Sequence, residues 1–361
     1  MGIFKRLFGR GGHAAREPQD ARRGPVEASG QPPEATHQTG RASRPVLDAA
    51  SSELEASATA EVEPQSPAAA PNAIRMFDRE GNAVLIDAEE YRTGILPRMF
   101  ESVRQQPDQL YALLVDAFGR GWFEDGLESA RALIEVDPNR ERAATMLGIA
   151  LMQTGRLDEA QAVLEAQVAS AGPSGVVLTN LAKVRANRGD HEGAEALLWE
   201  ALQLDPNVPN SVEWWGAIAR ERDGEAGWIT ALERVAALDG SWRAQLWLAR
   251  TALEAQDPER ALELYAQALP RAREYGDALM MISGDLGRTG HPGRAVALIE
   301  PVYDPAVHGP TAGFNLIHAS LQVGEREAGL RVLGRLEALE RKDISRHLSE
   351  LRARFEDRAP D

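Results

Sequence analysis

The chain has 361 residues, of which 43% are hydrophobic, carries a net charge of -15 and contains no cysteine. That length and apolar content suffice for a large core or a long repeat array, and the missing thiols exclude disulfides, thiolate metal sites and thiol catalysis. Residues 1–50 hold eight Lys/Arg against five Asp/Glu, leaving -18 on the remainder, which argues against a general nucleic-acid binder that must displace counterions with basic surface.

The mean hydropathy of -0.35 fits a soluble chain, and no apolar run reaches the roughly 18 residues that a membrane-spanning helix needs. The first segment, residues 1–11, reads "MGIFKRLFGRG". Ile3, Phe4, Leu7 and Phe8 share one helical face, with Lys5, Arg6 and Arg10 elsewhere, a short basic amphipathic pattern suited to an anionic membrane surface. Burying four large side chains is offset by ordering the segment, so the expected contact is weak, reversible and peripheral. The apolar stretch is interrupted by Lys5-Arg6, unlike a secretory signal, and Arg6 stands where a myristoylation signal has Ser/Thr. The competing reading is a tip that is disordered or docks on a partner protein. Residues 12–72 are poor in large apolar side chains and read as a disordered tether.

Residues 73–106 are expected to form a small cap. "IRMFDREGNAVLID" has two apolar stretches around a polar centre at Asp78–Asn82, a hairpin pattern. Such a hairpin is marginal alone and must pack on something. The following helix, with Asp87 and Glu90 as its N-terminal cap and Pro97 kinking or dividing it, is the platform.

From residue 107 to 343 the chain repeats. Gly121, Gly155 and Gly189 are 34 residues apart, as are Gly126, Ala160 and Ala194; Gly290 and Gly324 keep the step, followed by Ala295 and Gly329. A fixed period of this length predicts stacked helical hairpins. The first glycine of each set belongs to the turn, and the small residue five positions later lets the two helices approach closely. Seven units are expected, starting near 107, 141, 175, 209, 242, 276 and 310. The fourth is irregular, with Asp223 at the turn and Trp228 at the crossing; the fifth starts one residue early and has Gln256 at its turn. Residues 344–361 supply a charged amphipathic helix that covers the open end. The fold class is therefore all-α, an α-solenoid with a small β-hairpin at its N-terminal end.

Leu147-Gly148, Gly155 and Ala160 in unit two, and Leu178, Leu181-Ala182, Gly189, Ala194, Leu198, Ala201 and Asp205-Pro206 in unit three, resemble the tetratricopeptide repeat family in its bacterial form. The resemblance implies a concave groove lined by the first helix of each unit. By that register Asn180, Lys183, Trp214, Arg220, Trp247, Arg250, Met281, Asn315 and His318 line the trough. Six of the seven tryptophans fall between residues 199 and 247, and core filling around the irregular units competes with a groove role for them. Asn180 matches the central asparagine of the carboxylate clamp that some family members carry, but Thr145, Ile149, Asn210 and Trp214 stand where its other elements belong, so the clamp is absent.

"GDLGRTGHPGR" at 284–294 is glycine-rich but lacks a preceding strand and a closing Gly-Lys-Ser/Thr. The histidines show no i, i+4 pair and no His-Glu-x-x-His, and no nucleophile–base set is visible. No cofactor, metal or nucleic acid is expected. The sequence reads as a non-enzymatic cytoplasmic scaffold for a protein or peptide partner, peripheral at the inner face of a membrane if its tip binds lipid. The alternative is a membrane-recruited regulatory subunit of an enzyme or envelope assembly, targeted by Ile3, Phe4, Lys5, Arg6, Leu7 and Phe8.

Overall fold

The computed structural model describes residues 73–77 and 83–357. Strands β1 (Ala73–Phe77) and β2 (Ala83–Asp87) pair antiparallel with Ile74 opposite Ile86. The hairpin packs through Ile74, which shares a buried cluster with Tyr91, Leu96 and Phe100. Asp87 caps the helical stretch that follows, its carboxylate accepting from the Glu89 and Glu90 N–H groups at 2.9 and 3.2 Å. That stretch is divided as the proline predicts. One turn (Ala88–Glu90) passes into a π turn (Tyr91–Ile95), and α1 (Leu96–Val103) begins with Pro97 in its first turn, where no N–H is required.

Among the described residues, seven helical hairpins follow. They are α2 (Pro107–Gly119) with α3 (Phe123–Val136), α4 (Arg140–Gln153) with α5 (Leu157–Ala171), and α6 (Gly175–Asn187) with α7 (His191–Leu204). The fourth is the kinked α8 (Pro209–Ala236). Then come α9 (Arg243–Glu254) with α10 (Pro258–Ala272), α11 (Gly276–Arg288) with α12 (Pro292–Ile299), and α13 (Thr311–Val323) with α14 (Arg326–Glu337). The turn glycines have left-handed backbones, with φ of 81°, 79° and 88° at Gly121, Gly155 and Gly189. This conformation lets the next residue's N–H bond back to the last turn of the first helix, as in Arg156 N–H to Leu151 O at 2.8 Å. In unit five Gln256 adopts it with φ 61°, carrying a side chain where glycine is cheaper.

The crossing positions are packed to contact. Ala160, Ala194, Ala261 and Ala295 are fully buried, and a Cβ at Gly126 would lie 2.6 Å from Phe118. Unit four solves the same problem in reverse. Trp228 occupies the small residue's place, and Gly216 on the facing arm makes room: a Cβ there would meet Trp228 at 2.5 Å. The turn also moves by one residue, since Gly224 (φ 66°) rather than Asp223 takes the left-handed conformation. The irregularity expected of this unit is thus an exchange of large for small across one crossing.

First helices of neighbouring units touch directly, and each second helix packs on the first helix of the next unit. Thr179 and Ser211 share a buried 2.6 Å hydrogen bond between α6 and α8, and Asn315 Nδ2 donates to Ser283 Oγ at 3.1 Å between α13 and α11. The stack closes with α15 (Lys342–Glu356), which buries Leu348, Leu351 and Phe355, the Phe355 ring filling the space beside Gly329. No helix among the described residues is long and apolar enough to cross a membrane.

Candidate partner-binding face

The side-by-side first helices present one continuous face, which has three parts. At its N-terminal end Tyr111, Arg142, Thr145, Met146 and Val176 line a depression of about 190 Å³. Arg142 lies over the Tyr111 ring at 4.7 Å and is held by Asp137 and Asp108, each at 2.8 Å. Burial pushes the Asp137 carboxyl up, but hydrogen bonds from Arg142 and the Asn139 N–H outweigh it, so the group sits below its ordinary value. The Thr145 hydroxyl is buried here without a hydrogen-bond partner among the described residues.

The middle of the face is closed. Asn180, Lys183 and Trp214, which the sequence places in the trough, are buried at 6%, 1% and 5% exposure. Asn180 donates to Val176 O at 2.9 Å, and its own carbonyl oxygen has no donor among the described residues. Burial pulls the Lys183 amine down to about 7, against the opposing pull of the Glu213 carboxylate. Units three and four therefore meet too tightly here to leave an open channel.

The C-terminal part is more open and is organised by stacked rings and guanidiniums. Arg220 lies over Trp228 at 4.0 Å, Trp228 meets Trp247 edge-to-face at 5.7 Å, and Arg250 lies over Trp247 at 4.6 Å. Trp228 donates its indole N–H to Thr251 at 3.0 Å. Arg250 is engaged by Asp285, a carboxylate 1% exposed that also accepts from Tyr265 at 3.2 Å and Arg288 at 2.6 Å. Burial and that neighbouring carboxylate push the Tyr265 hydroxyl far up, so it stays protonated and donates to Asp285. Arg220 is exposed and pairs with Glu225 at 3.0 Å. Met281, Asn315 and His318 are half-buried along α11 and α13, with His347 of α15 6.3 Å from His318. Burial, Arg354 and His347 all lower the His318 imidazole, so it stays neutral more readily than a free histidine.

Trp228 and Asp285 hold this region in place. The sequence placed Trp228 at an irregular crossing and in the tryptophan cluster without assigning it this role, and it passed over Asp285, which lay inside a glycine-rich stretch explained by its turn. Of the other tryptophans, Trp199 and Trp215 pack with tilted rings at 5.0 Å, and Trp242 packs on Tyr275 at 4.9 Å, so most of the cluster fills the junctions around unit four. Ile3, Phe4, Lys5, Arg6, Leu7 and Phe8 lie outside the described residues.

Tetratricopeptide repeat family models match residues 117–174, 176–204 and 229–277. Among solved structures, a tetratricopeptide repeat protein from Parabacteroides merdae is 17% identical, with 70% of this chain and 99% of that chain covered and a TM-score of 0.30. The pilF protein of Pseudomonas aeruginosa is 17% identical over 70% of this chain and 98% of its own, with a TM-score of 0.27. A human IFIT1 dimer with m7Gppp-AAAA is 18% identical over 74% of this chain and 66% of that chain, with a TM-score of 0.37. No curated protein sequence matches the chain. The three family matches fall on hairpins with left-handed turns and small residues at their crossings, and the chain is a tetratricopeptide repeat protein.

Proposed function

We propose that this protein is a non-enzymatic scaffold that holds an extended segment of a partner protein across the first helices of units five to seven. The carrying observation is the row of half-buried side chains Trp247, Met281, Asn315 and His318 on the adjoining helices α9, α11 and α13. Each unit contributes one or two groups at matching register, offering indole, thioether, amide and imidazole in succession. Packed helices stand about 9 Å apart, close to the rise of three residues of extended chain at about 3.3 Å each. A segment laid across the helices thus meets one such group for about every third residue. At the unit-five end the ring–guanidinium contacts and Asp285 hold Trp247 and Arg250 in place, which lowers the ordering cost of association there.

The test uses the full chain as bait, with Met281→Glu and His318→Glu as variants, followed by affinity capture and mass spectrometry. Both side chains are half-buried at the surface, so helicity by circular dichroism is expected to hold while partner recovery falls at least tenfold. Recovery of the same partners at wild-type yield, with helicity intact, would overturn the assignment of this face.

A further inference from the structure

The large-for-small exchange in unit four leaves a second feature on the other side of its first arm. Between α7 and the two arms of α8 lies a crevice of about 390 Å³. Trp215, Ile218, Ala219 and Arg222 line it from the first arm, on the helix face turned away from Glu213, Ala217 and Arg220. Ala226, Gly227, Thr230 and Arg234 line it from the second arm, and Glu195 from α7. The floor is apolar, and the volume lies within the range of small-molecule sites.

The two arginines of the rim differ. Arg222 is committed to Glu195 by a two-point pair at 3.2 and 2.7 Å. Arg234 stacks over Trp199 at 3.7 Å and lies 5.4 Å from the Trp215 ring, yet among the described residues no acceptor takes a hydrogen bond from it and no carboxylate pairs with it. Stacking fixes the guanidinium plane and leaves its N–H fork unspent, the arrangement that recognises a planar anion at two points. Glu195 and Asp223 on the rim, and the acidic character of the chain, favour a monoanion over a dianion.

We propose that this crevice binds a small carboxylate carried on a compact apolar body, an aryl or short alkyl acid. The carboxylate sits on Arg234, and the body lies against Trp215, Ile218 and Ala219. The site is separate from the face assigned to the partner protein, so the two ligands do not compete.

The test is a titration of the full chain with 3-phenylpropionate, followed by calorimetry and saturation-transfer NMR. Its amide and phenyl phosphate serve as comparison ligands. Saturable millimolar binding is expected for the acid, with at least tenfold weaker binding of the amide and of phenyl phosphate. Arg234→Gln is expected to lose at least tenfold, and Arg234→Lys, which keeps the charge without the fork, to lose less. Ala226→Trp fills the crevice from its exposed rim without touching Arg234 and should abolish binding, whereas Met281→Glu should leave it intact. Equal binding of acid and amide, unchanged binding to Ala226→Trp, or no saturable binding of the acid would overturn the proposal.

Discussion

Gly216→Ala tests how unit four is held together. A Cβ at that position meets Trp228 Cζ3 at 2.5 Å and Cε3 at 2.6 Å. The indole cannot retreat easily, because it is 4% exposed, packed edge-to-face on Trp247 and hydrogen-bonded to Thr251. Overpacking of this kind costs about 1–3 kcal/mol, and alanine recovers about 1 kcal/mol of helix propensity over glycine. The single change is therefore expected to lower stability by up to about 2 kcal/mol. Trp228→Ala alone should cost about 3–5 kcal/mol through the cavity it leaves. In the Trp228→Ala background the obstruction is gone and only propensity remains, so Gly216→Ala should now stabilise by about 1 kcal/mol. The sign reverses, with a coupling of about 1–3 kcal/mol. Urea unfolding of the four proteins, followed by far-ultraviolet circular dichroism with the denaturant slopes checked for equality, measures it. An equal effect of Gly216→Ala in both backgrounds would mean that the two residues do not oppose each other, and the packing described for this unit would fall.

Two further outcomes follow from single residues. The folded Lys183 amine titrates near 7 against an ordinary value of 10.5, so between those values the unfolded chain binds more protons and stability climbs as pH rises; below about 7 the burial penalty is complete. Lys183→Met should therefore exceed wild type in stability by a few kcal/mol near neutrality, with the gap closing toward pH 10; a gap that stays constant with pH in thermal melts would refute the buried charge. Gln256→Gly relieves a left-handed backbone at φ 61° and should raise stability by up to about 1 kcal/mol in the same urea assay, so a loss would contradict the strained turn.

The repeat was legible because its causes are local. A left-handed turn favours glycine and a close crossing favours a small side chain, so both left marks at a step of 34 residues, and the hairpin starts near 107, 141, 175, 209, 242, 276 and 310 correspond to the observed helices. The Asp87 cap and the break before Pro97 were readable for the same reason. Unit four was readable only as a disturbance. That Gly216 compensates Trp228, and that Gly224 takes the turn, depends on which atoms face each other across the hairpin.

The trough was legible only in part. Register identifies the helix face on which Asn180, Lys183 and Trp214 lie, but their exposure depends on how closely units three and four approach, a distance set by side chains on both. Arg250 was placed in the trough by register, but its pairing left no local mark because its partner Asp285 is 35 residues away, and the unspent fork of Arg234 gave no signal, since stacking on Trp199 is a contact between hairpins. The sequence by itself thus determined the period, the hairpins and the face each residue occupies, all set by backbone conformation within a few turns. Tertiary packing decided which of those residues are buried, which charges are already paired and where a crevice remains, because these depend on how side chains from different units fill the space between them.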